Sequence, residues 1–278
     1  MKNIEVEKII KPILSSDGAG VKLKRSIGVE PNYYDPFLML DEFGSEDKED
    51  YIGGFPAHPH RGIETVTYML HGEFEHEDST GGKGRMKAGD VQWMKTGSGI
   101  IHSEMPAMSD GKLQGFQLWI NMPARLKMSK PEYIYIDSKE MQIHKDNEKI
   151  VKTIAGKFEK AEGPIKGHNI EPIYFDIELK KDKEFIFDLP NTHNSLIYLV
   201  NGEIKIEEKE HDKLNNSTLI LLTKGKNLKV KSISNSKFLL ISGKPINEQI
   251  ARGGPFVMNT KSEILQAVND YHNGTFVK

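Results

Sequence analysis

Short runs rich in Val, Ile, Tyr, Phe and Thr, each closed by glycine or another turn former, dominate the pattern of apolar and polar positions along the chain. Alternation with a period of two marks strands that bury one face. In the first half it predicts strands over 63–70, 73–78, 91–94, 100–105 and 115–120. The turns His71-Gly72, Ala88-Gly89-Asp90 and Thr96-Gly97-Ser98-Gly99 and a Gly-rich loop over 79–84 separate them. The second half predicts strands over 174–179, 184–189, 195–200, 203–208, 218–222, 227–232 and 237–242, with Asn201-Gly202 and Lys224-Gly225 as turn signals. Leu199-Val200-Asn201-Gly202-Glu203 echoes Met69-Leu70-His71-Gly72-Glu73, which reads as an internal duplication. The spacing predicts an all-β chain built as a barrel or double-sheet jelly roll. One helix is expected over 260–271, where Ile264, Leu265 and Val268 stand at helical spacing and Gly274 is a stop signal. The Pro- and Lys-containing stretch 123–137 reads as a linker, dividing the chain into domains 1–130 and 131–278.

Composition narrows the classes. The 278 residues suffice for one large or two modest domains, and 37% hydrophobic with 28% charged residues favours a packed core over disorder. A formal net charge of −2 argues against a dedicated nucleic-acid binder, though not against a transcriptional partner that never touches DNA. The absence of cysteine excludes disulfides, thiol nucleophiles and cysteine-ligated metals. The longest apolar stretches, 196–200 and 219–222, are too short for a bilayer, and the N-terminal stretch lacks the apolar core of a signal peptide. The expectation is a cytoplasmic protein with no membrane and no direct nucleic-acid contact.

Five of the ten histidines fall between residues 58 and 102. His58 and His60 form an HxH pair, and residues two apart on a strand share a face. His102 and Glu104 repeat the spacing after a Gly-rich turn. Two strands thereby offer three neutral nitrogens and one anionic oxygen to a common centre, a set that suits a divalent transition metal such as Fe, Mn, Ni, Cu or Zn. An HxH pair alone reads equally as two polar residues on a solvated face; the second pair is what favours a metal. Glu64, four residues after His60, is a further ligand, an alternative ligand or an outer acceptor that holds a histidine tautomer, depending on whether Arg61-Gly62 breaks the strand. His71 and His76 read as exposed polar residues. Phe55 and Met105, next to the two pairs, either line an apolar substrate pocket or pack the barrel. Gly97-Ser98-Gly99 lacks the full nucleophile elbow, and Gly81-Gly82-Lys83-Gly84 is not a phosphate loop.

The stretch FPAHPHRGIETVTYMLHGEFEHEDSTG, followed by AGDVQWMKTGSGIIHSEMP, closely resembles the pirin family of the cupin superfamily. The resemblance extends through SSDGAGVKLKRSIG and DPFLMLDEFG upstream and RGGPFVMNTKSEILQAVNDYHNGTF downstream. It implies two cupin jelly-roll barrels facing each other, with one metal in the N-terminal barrel held by His58, His60, His102 and Glu104. It favours Glu104 over Glu64, although general cupins often use a glutamate near the position of Glu64. The second barrel departs from a metal-binding cupin: His193 stands alone, and LTKGKNLKVKSI has no histidine. The implied activity is a dioxygenase similar to quercetin 2,3-dioxygenase, acting on a small aromatic substrate and O2 with one divalent transition metal, iron ranked first. Glu104 would then also serve as the catalytic base. The alternative is a non-catalytic, metal-binding regulatory protein with a protein partner.

Overall fold

The computed structural model describes residues 3–28, 34–108, 111–206 and 214–278. It is mostly strand with one α-helix near the C-terminus, and among the described residues no helix is long and apolar enough to cross a membrane.

The chain divides into two compact units, each a two-sheet cupin fold. The first unit comprises Ile13–Ser138 and Ile246–Lys278. Its larger sheet runs, in spatial order, Glu132–Ile136, Val91–Lys95, Ile63–His71, Gln114–Asn121, Phe37–Phe43, Val21–Ile27 and Ile13–Asp17. Its smaller sheet runs Phe55–His60, Ile100–Pro106, Phe74–Asp78 and Lys83–Met86. The second unit comprises Met1–Pro12 and Lys139–Pro245. There the larger sheet runs Val6–Ile10, Thr218–Leu222, Asn194–Asn201, Ser236–Gly243, Ile173–Leu179, Lys149–Ala155 and Ile143–Lys145, and the smaller runs Glu184–Asp188, Asn227–Ser232 and Ile204–Ile206. The strand expected over 203–208 is thus observed at Ile204–Ile206, and residues 207–208 lie outside the described residues.

The two units repeat one plan. Ile63–His71 passes from the larger sheet through Gly72 into Phe74–Asp78 of the smaller, and Asn194–Asn201 passes through Gly202 into Ile204–Ile206 in the same way. Gly72 and Gly202 adopt φ of 81° and 86°, a region that disfavours a Cβ. This is the structural form of the echo between the two sequence segments.

The boundaries differ from a single cut after residue 130. Val6–Ile10 pairs with Thr218–Leu222 and so completes the second unit's sheet. Glu132–Ile136, inside the expected linker, pairs with Val91–Lys95 as an edge strand of the first unit, so the chain crosses over at Ser138/Lys139. The C-terminal segment from Ile246 returns to the first unit. These pairings join residues far apart in sequence, and periodicity carries no signal for them.

The second unit fills its interior with apolar side chains, among them Phe158, Phe175, Phe185 and Phe238. Each such side chain stabilises the fold by about 1.5–3 kcal/mol relative to its exposed form. The first unit has several smaller apolar clusters, in one of which Phe43 stacks on Phe74 at 5.3 Å, and also buries polar groups such as Thr67, Gln92, His102 and Glu104. The helix Lys261–His272 begins with a capping box: the Glu263 N–H donates to Thr260 Oγ1 at 3.2 Å, and the Thr260 N–H donates to the Glu263 carboxylate at 2.8 Å. Ile264 and Val268 pack against Phe256, Ala267 and Phe276, whereas Leu265 is 61% exposed. The i, i+4 stripe therefore excludes the third residue of the expected apolar face.

Candidate metal centre

Phe55–His60 and Ile100–Pro106 are antiparallel neighbours, with His58 opposite His102 and Ile100 opposite His60. The pleat turns His58, His60 and His102 to one face. Their rings stand 4.8, 4.3 and 5.1 Å apart, and one nitrogen from each lies within 4.8 Å of the others. His58 Nδ1 donates to the Pro56 carbonyl at 2.8 Å and His60 Nδ1 to the Pro255 carbonyl at 3.4 Å. A carbonyl only accepts, so both rings carry a proton on Nδ1, which makes Nε2 the nitrogen available to a ligand. His102 is 1% exposed, and neither of its ring nitrogens has a partner among the described residues. A buried imidazole with two orphaned nitrogens is costly unless something else satisfies it. Burial, reinforced by His58, pushes His60 down to about 3, and burial, reinforced by His60 and His58, pushes His102 well below its ordinary value. Burial thus favours the neutral form of His60 and His102, the form in which imidazole ligates a metal. This group is able to hold a divalent transition metal.

Glu104 follows on the same strand and is 1% exposed. Its oxygens accept hydrogen bonds from Thr67 Oγ1 at 2.9 Å, Gln92 Nε2 at 3.3 Å and Gln117 Nε2 at 3.2 Å. Thr67 pairs across the larger sheet with Gln92 on one side and Gln117 on the other, so the three donors form one polar rung opposite the carboxylate. Glu104 is grouped by proximity with His102 and His76, not with all three of the expected histidine ligands. His102 is the residue that joins the two sets.

Glu64 lies elsewhere. The strand Phe55–His60 ends before the bend at Arg61-Gly62, and Gly62 adopts φ of 78°. Glu64 then sits three residues before Thr67 on a new strand, an odd offset that puts it on the opposite face. There it accepts the Trp93 indole N–H at 2.5 Å and belongs to neither ligand group.

His76 corrects the expectation of an exposed polar residue. It stands directly across from Glu104 and is 1% exposed. Its Nε2 meets Asp78 Oδ2 at 2.9 Å, its ring stacks on Tyr133 at 4.5 Å, and its Nδ1 has no partner among the described residues. Asp78 is anchored in turn by the Thr80 hydroxyl and backbone N–H groups at Thr80 and Gly82. The alternation Phe74 in, Glu75 out, His76 in, Glu77 out was available in the sequence and would have placed His76 inside. His71, by contrast, is exposed as expected.

His58, His60 and Glu104 open onto a cavity of about 510 Å³ walled by Met39, Phe43, Phe55 and Trp119. Phe55 faces it. Met105 does not: it alternates with Glu104, whose side chain is directed inward, and it is absent from the cavity wall. The pairing of Phe55 and Met105 as joint pocket residues therefore does not hold for Met105.

The sequence matches Pirin over residues 20–120 and the Pirin C-terminal cupin domain over residues 174–277. It is 41% identical over 274 residues to a pirin-like protein of Caulobacter vibrioides, covering 98% of each chain. The chain belongs to the pirin family. It is also 37% identical over 275 residues to human pirin, covering 96% of this chain and 93% of the other. Among solved structures, a quercetin 2,3-dioxygenase from Acinetobacter baumannii superposes with a TM-score of 0.91 at 30% identity, covering 99% of each chain.

Proposed function

We propose that this pirin-family chain is a metal-dependent dioxygenase, similar to quercetin 2,3-dioxygenase, that opens a flavonol-type ring with O2. The observation that carries the reading is the joint position of His58, His60, His102 and Glu104. Three imidazoles lie together, a buried carboxylate follows His102 on its strand, and His58, His60 and Glu104 border an aromatic-walled cavity of about 510 Å³. That volume is on the scale of pockets for flat, fused-ring ligands. These four residues would hold the metal. A divalent metal bound there supplies a lowered pKa for a bound enol and a common seat for substrate and O2. Iron is the first candidate; nickel, copper, manganese and zinc follow, because a site of this composition accepts most of the series.

The remaining work falls to the side chains. Phe55 and Trp119 provide apolar walls against which the flavonol rings lie and from which water is excluded. Glu104 receives the proton of the 3-hydroxyl, as a carboxylate within hydrogen-bond reach can. Thr67, Gln92 and Gln117 hold that carboxylate in one orientation. Flavonol and O2 are consumed together; the central ring opens to an ester, and one carbon leaves as carbon monoxide. The match to the A. baumannii quercetin 2,3-dioxygenase supports this substrate class.

The test is aerobic quercetin with the metal-loaded protein, following flavonol absorbance and carbon monoxide. The proposal expects turnover that a chelator or His58→Ala abolishes and that Glu104→Gln strongly reduces. Flavonol left intact with each of the candidate metals bound would overturn it in favour of a binding role.

A further inference from the structure

The same cavity carries two guanidinium groups, and they differ in one respect. Arg25 is paired: its Nε donates to Asp41 at 2.9 Å, and its Nη2 donates to Asp41 at 2.7 Å and to Asp17 at 3.0 Å. Arg252 has no carboxylate partner among the described residues. Its Nη1 donates to the backbone carbonyls of Gly28 at 3.1 Å and Leu38 at 3.3 Å, and its guanidinium lies over the Trp119 ring at 5.0 Å. Both N–H groups of Nη1 are thus spent, while Nε and Nη2 have no partner among the described residues.

Trp119 also meets the edge of His60, at 5.0 Å. One indole therefore touches both the imidazole cluster and the unpaired cation, and all of these groups share the cavity wall. The wall's carboxylates at this end, Asp17 and Asp41, already serve Arg25. Burial, with Arg25 nearby, disfavours the charged form of Arg252, yet an arginine side chain stays protonated in proteins. A half-buried cation with three unused donors in a fixed fork is matched by a planar anionic oxygen group.

We infer that Arg252 is a specificity-determining residue that receives an anionic oxygen, carboxylate or phenolate, of an aromatic ligand lying along Trp119. This rests on the reading of the cavity as the substrate site and narrows its substrates to acidic aromatics. A ligand with its aromatic body against Trp119 and Phe55 then presents one end to the imidazoles and the other to Arg252. Arg25 supplies positive potential behind it but, being neutralised by two carboxylates, discriminates little.

The test uses 4-hydroxycinnamate and its primary amide, which are of similar size and differ only at the terminal group, an anionic acceptor in one and a neutral amide in the other. Affinities are measured by calorimetry on the full chain as purified and again after chelation, because a bound metal would itself attract the acid. Wild type should prefer the acid to the amide by roughly 10- to 100-fold in both preparations, the scale of a charge-assisted hydrogen-bonded pair. Arg252→Gln should erase that preference while leaving metal content unchanged and lowering the thermal midpoint only modestly, because the Gly28 and Leu38 carbonyls lose their donor. Arg252→Lys, which keeps the charge but not the fork, should retain a weakened preference and covers the case in which the glutamine variant does not fold. Equal affinity for acid and amide in wild type, or an acid preference that survives Arg252→Gln or disappears on chelation, overturns the inference. Quercetin turnover is scored separately. Acid preference without turnover removes only the dioxygenase reading, and turnover without acid preference removes only the role of Arg252.

Discussion

Asp270→Ala tests how the C-terminal segment supports the metal centre. Arg61 lies between His60, a proposed ligand, and the bend at Gly62, and its side chain is 1% exposed. It donates to the Ser98 carbonyl at 2.6 Å and to Asp270 at 2.7 Å, and its guanidinium sits 4.5 Å from the Phe276 ring centroid. Removing one member of a buried ion pair typically costs about 3–5 kcal/mol. Asp270 is 15% exposed and Arg61 keeps its carbonyl and ring contacts, so the expected loss is smaller, about 2–3 kcal/mol. For a unit of this size that corresponds to a fall in Tm of roughly 5–10 °C. The loss also has a pH signature. Hydrogen bonds from Arg61 and then Gln266 hold the Asp270 carboxyl below its ordinary value. A depressed carboxylate contributes fully above the unfolded pKa of about 3.9 and loses its contribution as pH falls through the folded value. Wild type and variant should therefore differ at pH 7, and the difference should shrink progressively as pH is lowered below about 3.9. Differential scanning calorimetry across that range is the assay, with metal affinity measured in parallel, since a loosened Arg61 frees His60. A well-folded variant with unchanged Tm at pH 7, or an equal deficit at both ends of the range, would refute the reasoning.

His76→Phe keeps the stack on Tyr133 but removes both nitrogens facing Asp78 and the cluster; metal affinity in a calorimetric titration should fall about 10- to 100-fold, and unchanged affinity would show that His76 only fills space. Thr67→Val removes one donor from Glu104 at nearly constant volume and should weaken metal binding by about tenfold; rescue by Thr67→Ser, with its hydroxyl restored, separates orientation from packing. Lys127 donates to the carbonyls of Gly62 and Val257 and to Asn121 Oδ1 at 2.7–2.8 Å, so Lys127→Met strands three buried acceptors and should cost about 2–4 kcal/mol in urea unfolding. A loss under 1 kcal/mol would mean that water replaces the ammonium.

The sequence revealed most strands between residues 63 and 120 and between 174 and 242, the helix and the internal echo, because turn residues and apolar runs are local signals; it missed the strands before residue 44 and those at 132–136 and 149–155. It also pointed to His58, His60 and His102, which the structure brings together because pairs two apart on adjacent strands need only the pleat to share a face, and to Glu104, which stands with His102 and His76. What it concealed depends on parity and long-range pairing. Glu64 lies beyond a bend whose geometry four residues of spacing cannot report. His76 was masked by flanking glutamates, although Phe74 two residues earlier marks its face. Arg252 lies in the C-terminal segment, about 190 residues after the HxH pair, and no local pattern says that this segment returns to the first unit.

The central claim is that one metal sits among His58, His60, His102 and Glu104. Anomalous diffraction at the metal edge, from crystals of the loaded protein, addresses it directly. The account predicts a single peak about 2.0–2.2 Å from one nitrogen of each imidazole and from a Glu104 oxygen. A peak in the second unit, or a peak in the first that leaves any of the three imidazoles uncoordinated, would contradict it.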